Sequence, residues 1–155
     1  MQYEFQSLNE KEKELMMDAP VLVSILVADA DNDHSEDEKK EAIRLAHIKT
    51  FSERQELHPY YHHLDKEFSE RYDTLMNELP GGIEERREEI IQRLEKLNQV
   101  FKKLNQKFAS YFYMSLKDFA FYVATATGGL LGIGSIRRNE KQLLELPMIE
   151  PPVVS

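Results

Sequence analysis

Between Asp29 and Glu41 the chain carries seven carboxylates and two lysines, a local charge of −5. Asp29, Asp31 and Asp33 alternate, and Glu36, Asp37 and Glu38 follow at once. Oxygen donors at this density suit a hard divalent cation, because calcium and magnesium take carboxylate ligands from loops that can wrap them. An EF-hand loop begun at Asp29 matches at its first, third and fifth positions. It fails at the sixth, where His34 stands in place of the glycine the turn needs, and at the twelfth, where Lys40 replaces a bidentate glutamate. The pattern therefore excludes an EF-hand and points to an open calcium or magnesium site made by Asp29, Asp31, Asp33, Glu36 and Glu38. The same acids also suit a local task, since aspartates cap helix ends and glutamates in a first turn favour the helix dipole.

Two further groups of residues have chemistry to offer. His58 and His62 stand four apart with His63 adjacent, a spacing that chelates zinc when both lie on one helix face. His58 precedes Pro59, however, which places it at a solvated helix start. The second group is Leu130, Leu131 and Ile133 beside Arg137 and Arg138, within a stretch holding four of the six glycines. Apolar side chains flanked by cations press on a protein partner or an anionic membrane surface. That glycine run follows no expected strand, so it is not a dinucleotide fingerprint. No H-E-x-x-H, phosphate-binding loop or G-x-S-x-G occurs, and the absence of cysteine removes thiolate zinc sites and thiol nucleophiles. The chain reads as non-enzymatic.

The elements that must position these residues are helical. Ser7 and Glu10 have the spacing of a capping box ahead of a polar helix, Leu8 to about Met17. Pro20 suits the first turn of a second helix, apolar on nearly all faces from Val21 to Ala28 and so expected at the centre of the fold. Ser35 and Glu38 open a third helix. Pro59 opens a fourth, with Tyr61, Leu64, Phe68, Tyr72, Leu75 and Leu79 at helical spacing until Pro80-Gly81-Gly82 stops it. From Ile90 through Leu94, Leu97, Phe101, Leu104 and Phe108 to Tyr111 the apolar steps alternate between four and three, a heptad-like seam. Residues 59–111 are thus expected to form a long antiparallel helical hairpin. Its seam suits either the chain's own core or a homodimer. Ser115 and Asp118 mark another helix start, a short helix follows near Asn139 to Leu146, and residues 151–155 form a frayed tail.

The 155 residues fit one domain over 1–150, and net charge −8 with a pI near 5.2 argues against nucleic acid as a partner. The first ten residues lack the basic and apolar regions of a secretory signal, so the chain reads as cytoplasmic. The longest uncharged stretch, Phe119 to Ile136, is broken by glycines and reads as helix and loop, not as a membrane span. An internal repeat organises the whole. Val27-Ala28-Asp29-Ala30-Asp31 aligns with Val123-Ala124-Thr125-Ala126-Thr127, each ending an apolar helix before a loop and a Glu-Lys pair. Units of about 7–51 and 112–146 would then pack as a duplicated helical bundle around paired central helices.

These two strings, with Asn9-Glu10-Lys11-Glu12 and Ser35-Glu36-Asp37-Glu38 around the first and Gly128-Gly129-Leu130-Leu131-Gly132 after the second, resemble the TerB-like domain of tellurite-resistance proteins. The resemblance covers about half the chain and skips the hairpin. It implies an all-α duplicated bundle acting in stress response without catalysis, with the acids of two loops forming a metal-binding face. The second loop departs from the family pattern, offering Thr125 and Thr127 where carboxylates are expected. The alternative reading is a protein-interaction or membrane-surface adaptor that uses the hairpin or the glycine-rich loop and binds no metal.

Overall fold

The structure, a computed structural model, describes residues 4–30, 36–52, 54–126 and 142–152. It is all-α: α1 (Glu10–Ala30), α2 (Glu36–Ser52), a 3-10 turn (Gln55–Leu57), α3 (His58–Glu78), α4 (Ile83–Glu95), α5 (Leu97–Phe101) and α6 (Gln106–Ala126), with no strand among the described residues. As its composition requires, α1 lies at the centre, with Val21 to Ala28 at most 4% exposed, and it packs against α3, α4, α5 and α6. The two apolar helices do pair: α1 and α6 are each 21 residues long and pack together, burying Phe119, Ala120 and Val123. α2 lies across α3 and α6.

Two expected helices are one. α1 runs unbroken through Pro20, which is buried inside it. A proline within a helix removes the N–H that would bond the carbonyl four residues back, here that of Met16. The hydroxyl of Tyr60 on α3 donates to that carbonyl at 2.6 Å, so the group freed by Pro20 is satisfied from across the core. Tyr60 is 1% exposed, and burial holds its pKa well above the usual phenol value. Replacing Tyr60 by phenylalanine leaves the Met16 oxygen without a donor in an apolar interior and is expected to cost about 1–3 kcal/mol in urea unfolding. Unchanged stability would show that Pro20 is accommodated in another way.

The start of α1 also differs from expectation. The capping box is Asn9 with Glu12: the Glu12 amide donates to Asn9 Oδ1 at 2.8 Å and the Asn9 amide to Glu12 Oε1 at 2.9 Å. Ser7 instead donates to the Lys103 carbonyl at 2.8 Å, tying the chain's entry to the turn after α5. Ser115 and Asp118 do not start a helix; they lie within α6, where buried Ser115 donates to the Phe112 carbonyl and shares a hydrogen bond with the Tyr61 hydroxyl. Asn105 caps α6, accepting from the Phe108 amide at 3.1 Å.

The expected long hairpin over 59–111 is not formed as a packed pair: α4 and α5 pack on α1 rather than along α3, and the stretch after the Pro80-Gly81-Gly82 turn is divided. Its helix ends at Phe101, and the Gln106 side chain covers the carbonyls of Phe101 and Leu104 that the break leaves open. The seam itself is core: Ile90, Leu94, Leu97, Phe101, Leu104 and Phe108 are at most 5% exposed. It is covered by this chain and is not free to serve as a homodimer face. Asn98 holds residues 148–150 through the Met148 carbonyl and the Glu150 amide. Leu146 is fully buried at φ 50°, a left-handed helix-ending turn.

Candidate functional site

Asp29, the first acid of the expected metal set, lies in the last turn of α1 with its side chain 0% exposed. Arg86 of α4 meets it fork to fork, Nε on Oδ2 and Nη2 on Oδ1, both at 2.8 Å. The third guanidinium nitrogen reaches the carbonyls of Pro80 and Gly81, so one side chain ties the end of α1 to the turn between α3 and α4. Its hydrogen bonds to the Asp29 carboxylate raise the Arg86 pKa against the effect of burial. Asp31 and Asp33 lie outside the described residues, and Glu36 and Glu38 are described only as backbone in the first turns of α2. The capping pair of Ser35 and Glu38 falls outside in the same way. Among the described residues no group of three or more histidines and carboxylates is placed to hold a metal ion.

Of the histidines, His63 pairs with Glu67 at 3.1 Å one turn along α3, and His62 is exposed. His47 of α2, which spacing did not single out, meets Asp65 of α3 at 2.8 Å.

A concavity runs along the N-terminal half of α1. It has a volume of about 880 Å³ and lies between α1 on one side and Glu78, α4 and α5 on the other. Half-buried Leu15 lies on its floor above the core residues Leu22 and Val100, and the other lining residues are polar or charged. Its rim holds six carboxylates and three cations. Lys96 and Arg93 stand on the far wall, where Arg93 is paired with Glu89 at 3.1 Å. A second hollow of about 370 Å³ between α1 and α3 shares Glu14, Asp18 and Glu78 with it.

Arg71 lines the second hollow and binds two of the acids that both hollows share. Its guanidinium bonds Glu14 at 2.9 Å, Asp18 at 3.0 Å and Glu67 at 2.9 Å, so one positive charge serves three negative ones. Burial works against the Arg71 cation, but those three hydrogen bonds outweigh it and its pKa is raised. Asp18 is the most enclosed of the three acids, and burial raises its pKa above the usual 3.8 in spite of the bond from Arg71. The sign of the linked pH dependence follows. The folded protein holds the Asp18 proton to higher pH than the unfolded chain does, so this group's contribution to stability is present at low pH and falls as pH rises through the raised pKa. Asp18→Asn is expected to remove that falling component from the stability–pH curve; an identical slope in both proteins would contradict the assignment.

No protein-family model, curated protein or solved structure matches this chain. The functional reading therefore stands on the geometry. No described helix is long and apolar enough to cross a membrane. The expected interaction residues Leu130, Leu131, Ile133, Arg137 and Arg138 lie outside the described residues. The end of α6 that leads toward them exposes Phe121 and Tyr122, 53% and 45% accessible, with their rings edge to face at 6.1 Å.

Proposed function

We propose that this chain is a non-enzymatic binding module, a TerB-like duplicated bundle of the stress-response class, that holds a protein segment in the groove along α1. The observation that supports the reading is the groove's make-up: a concavity of about 880 Å³ with half-buried Leu15 on its floor and six carboxylates on its rim. Apolar surface left open in a concave site is a binding feature, because a closed core would have buried it. Asn9 to Leu22 span about 20 Å of helix axis at about 1.5 Å per residue, which suits an extended ligand more than a compact one. The equal, paired central helices support the duplication that the repeat and the TerB-like resemblance imply.

Selection of unbiased helical peptides on the full chain tests this. Peptides are expected to emerge whose binding is lost in Leu15→Gln, a change on the half-buried floor that leaves the helices folded. Failure to select any peptide, or binding indifferent to Leu15→Gln, would count against the groove.

The metal reading is narrowed. With Asp29 held by Arg86, a calcium or magnesium ion at the end of α1 would be held by Asp31, Asp33, Glu36 and Glu38. Titration calorimetry decides it: the dissociation constant expected for such an open site is roughly 10⁻⁵ to 10⁻³ M. Heat indistinguishable from dilution for both ions would remove this function.

A further inference from the structure

Residues 142–152 form a small structure of their own. Three backbone hydrogen bonds fold them: the amides of Glu145, Leu146 and Ile149 donate to the carbonyls of Gln142, Leu143 and Leu146. The last of these closes a turn over Leu146-Pro147-Met148-Ile149, with Pro147 at the second position, where its fixed φ suits a turn. Both ends of that turn are sunk into the bundle: Leu146 is 0% and Ile149 2% exposed, while Leu144 and Met148 are half-buried against the core.

Among the described residues no backbone–backbone hydrogen bond joins this segment to a helix. One side chain takes that part. Asn98 of α5 donates through Nδ2 to the Met148 carbonyl at 3.0 Å and accepts the Glu150 amide on Oδ1 at 2.8 Å. An amide side chain that meets a carbonyl and the N–H two residues on holds extended backbone as a neighbouring strand would. Lys117 of α6 adds an exposed ion pair to Glu145 at 3.0 Å. These are the parts of a peptide-recognition site: two apolar anchors, a fork on the backbone, and an occupant already shaped by its own bonds and a proline, so that little order is lost on docking. We infer that residues 142–152 are a tethered ligand, occupying a preformed peptide site on α5 and α6 that the helices keep when the segment leaves. The pattern the site takes is apolar, proline, any residue, apolar, followed by backbone open to Asn98. Neither Asn98 nor Lys117 lines the groove along α1, so the inference stands apart from the groove reading.

The test separates the site from its tethered occupant. In the full chain, Leu146→Ser with Ile149→Ser removes both anchors and leaves Asn98 in place. The expected amide spectrum keeps the pattern of α1 to α6 while residues 142–152 move to the positions of unfolded chain. A fluorescent peptide of residues 142–152 should then bind this variant saturably. It should bind the wild-type chain at least about tenfold more weakly, because the chain's own segment holds the site at high effective concentration. Adding Asn98→Ala to the variant should weaken peptide binding by about fivefold or more, since two hydrogen bonds to the peptide backbone are lost. A peptide carrying Leu146→Ser and Ile149→Ser should not bind. Loss of the helical spectrum in the double variant would make the segment part of the core and overturn the inference. So would a folded variant that binds no peptide, equal binding to variant and wild type, or binding indifferent to Asn98→Ala.

Discussion

Asp29→Asn is expected to destabilise the protein by about 3–5 kcal/mol, because it leaves the Arg86 guanidinium charged and unmatched in a nearly closed site. Asp29 is 0% exposed and Arg86 8% exposed at the side chain, and two 2.8 Å bonds join them. The carbonyls of Pro80 and Gly81 remain as acceptors but carry no charge. The loss is expected to be independent of added calcium or magnesium, since it arises from the ion pair. Replacing both partners with apolar residues, Asp29→Leu with Arg86→Met, should recover much of the loss, because the desolvated charge goes with its partner. Urea unfolding of the two single variants and the double variant reads this directly. A single variant within about 0.5 kcal/mol of wild type would show that the fork contributes nothing.

Phe112→Ala is expected to cost about 3–5 kcal/mol, as deletion of a fully buried ring leaves a cavity that the surrounding helices cannot close. Phe112 is 0% exposed at the meeting of three helices. Its ring lies edge-on to Tyr60 at 5.1 Å and to Phe101 at 6.0 Å, and stacks with Phe108 at 6.3 Å. Phe112→Leu keeps much of the volume and should cost under about 2 kcal/mol. An alanine variant as stable as the leucine variant would contradict this packing.

What the sequence reveals, and what it hides, divides by range. Periodicity finds the buried faces: Leu64, Phe68, Tyr72 and Leu75 on α3 and the seam from Ile90 to Phe108 are core as their spacing requires. Continuity is harder, because local rules have more than one reading. A proline after a polar run reads as a helix start, and only Tyr60, forty residues on, supplies the donor that lets α1 pass through Pro20. Ser7-x-x-Glu10 and Asn9-x-x-Glu12 both fit a capping box, and the frame is settled by the Lys103 carbonyl, which takes the Ser7 hydroxyl. The seam's heptad rhythm conceals the break after Phe101, which Asn105 and Gln106 mark only through capping.

The candidate site shows the same limit more sharply. Alternating aspartates draw attention to Asp29, but its partner lies 57 residues away, among the alternating charges of α4, where nothing singles out Arg86. The groove has no motif. Its acids belong to α1, α3 and α4 and look in the sequence like an ordinary solvated charge pattern. A weak signal was present: Leu15 breaks the polar first half of α1 on the side where Glu10, Glu14 and Asp18 recur.

The central claim is that the working surface is the groove between α1 and α4–α5. Amide chemical-shift mapping of the full chain during titration with a peptide selected on it tests this most directly. Saturable shifts are expected, confined to Leu15, Asp18 and Leu22 on α1 and to Arg93, Lys96 and Val100 across the groove. Saturable shifts centred on Phe121 and Tyr122, with the α1 amides unmoved, would contradict it and assign binding to the end of α6.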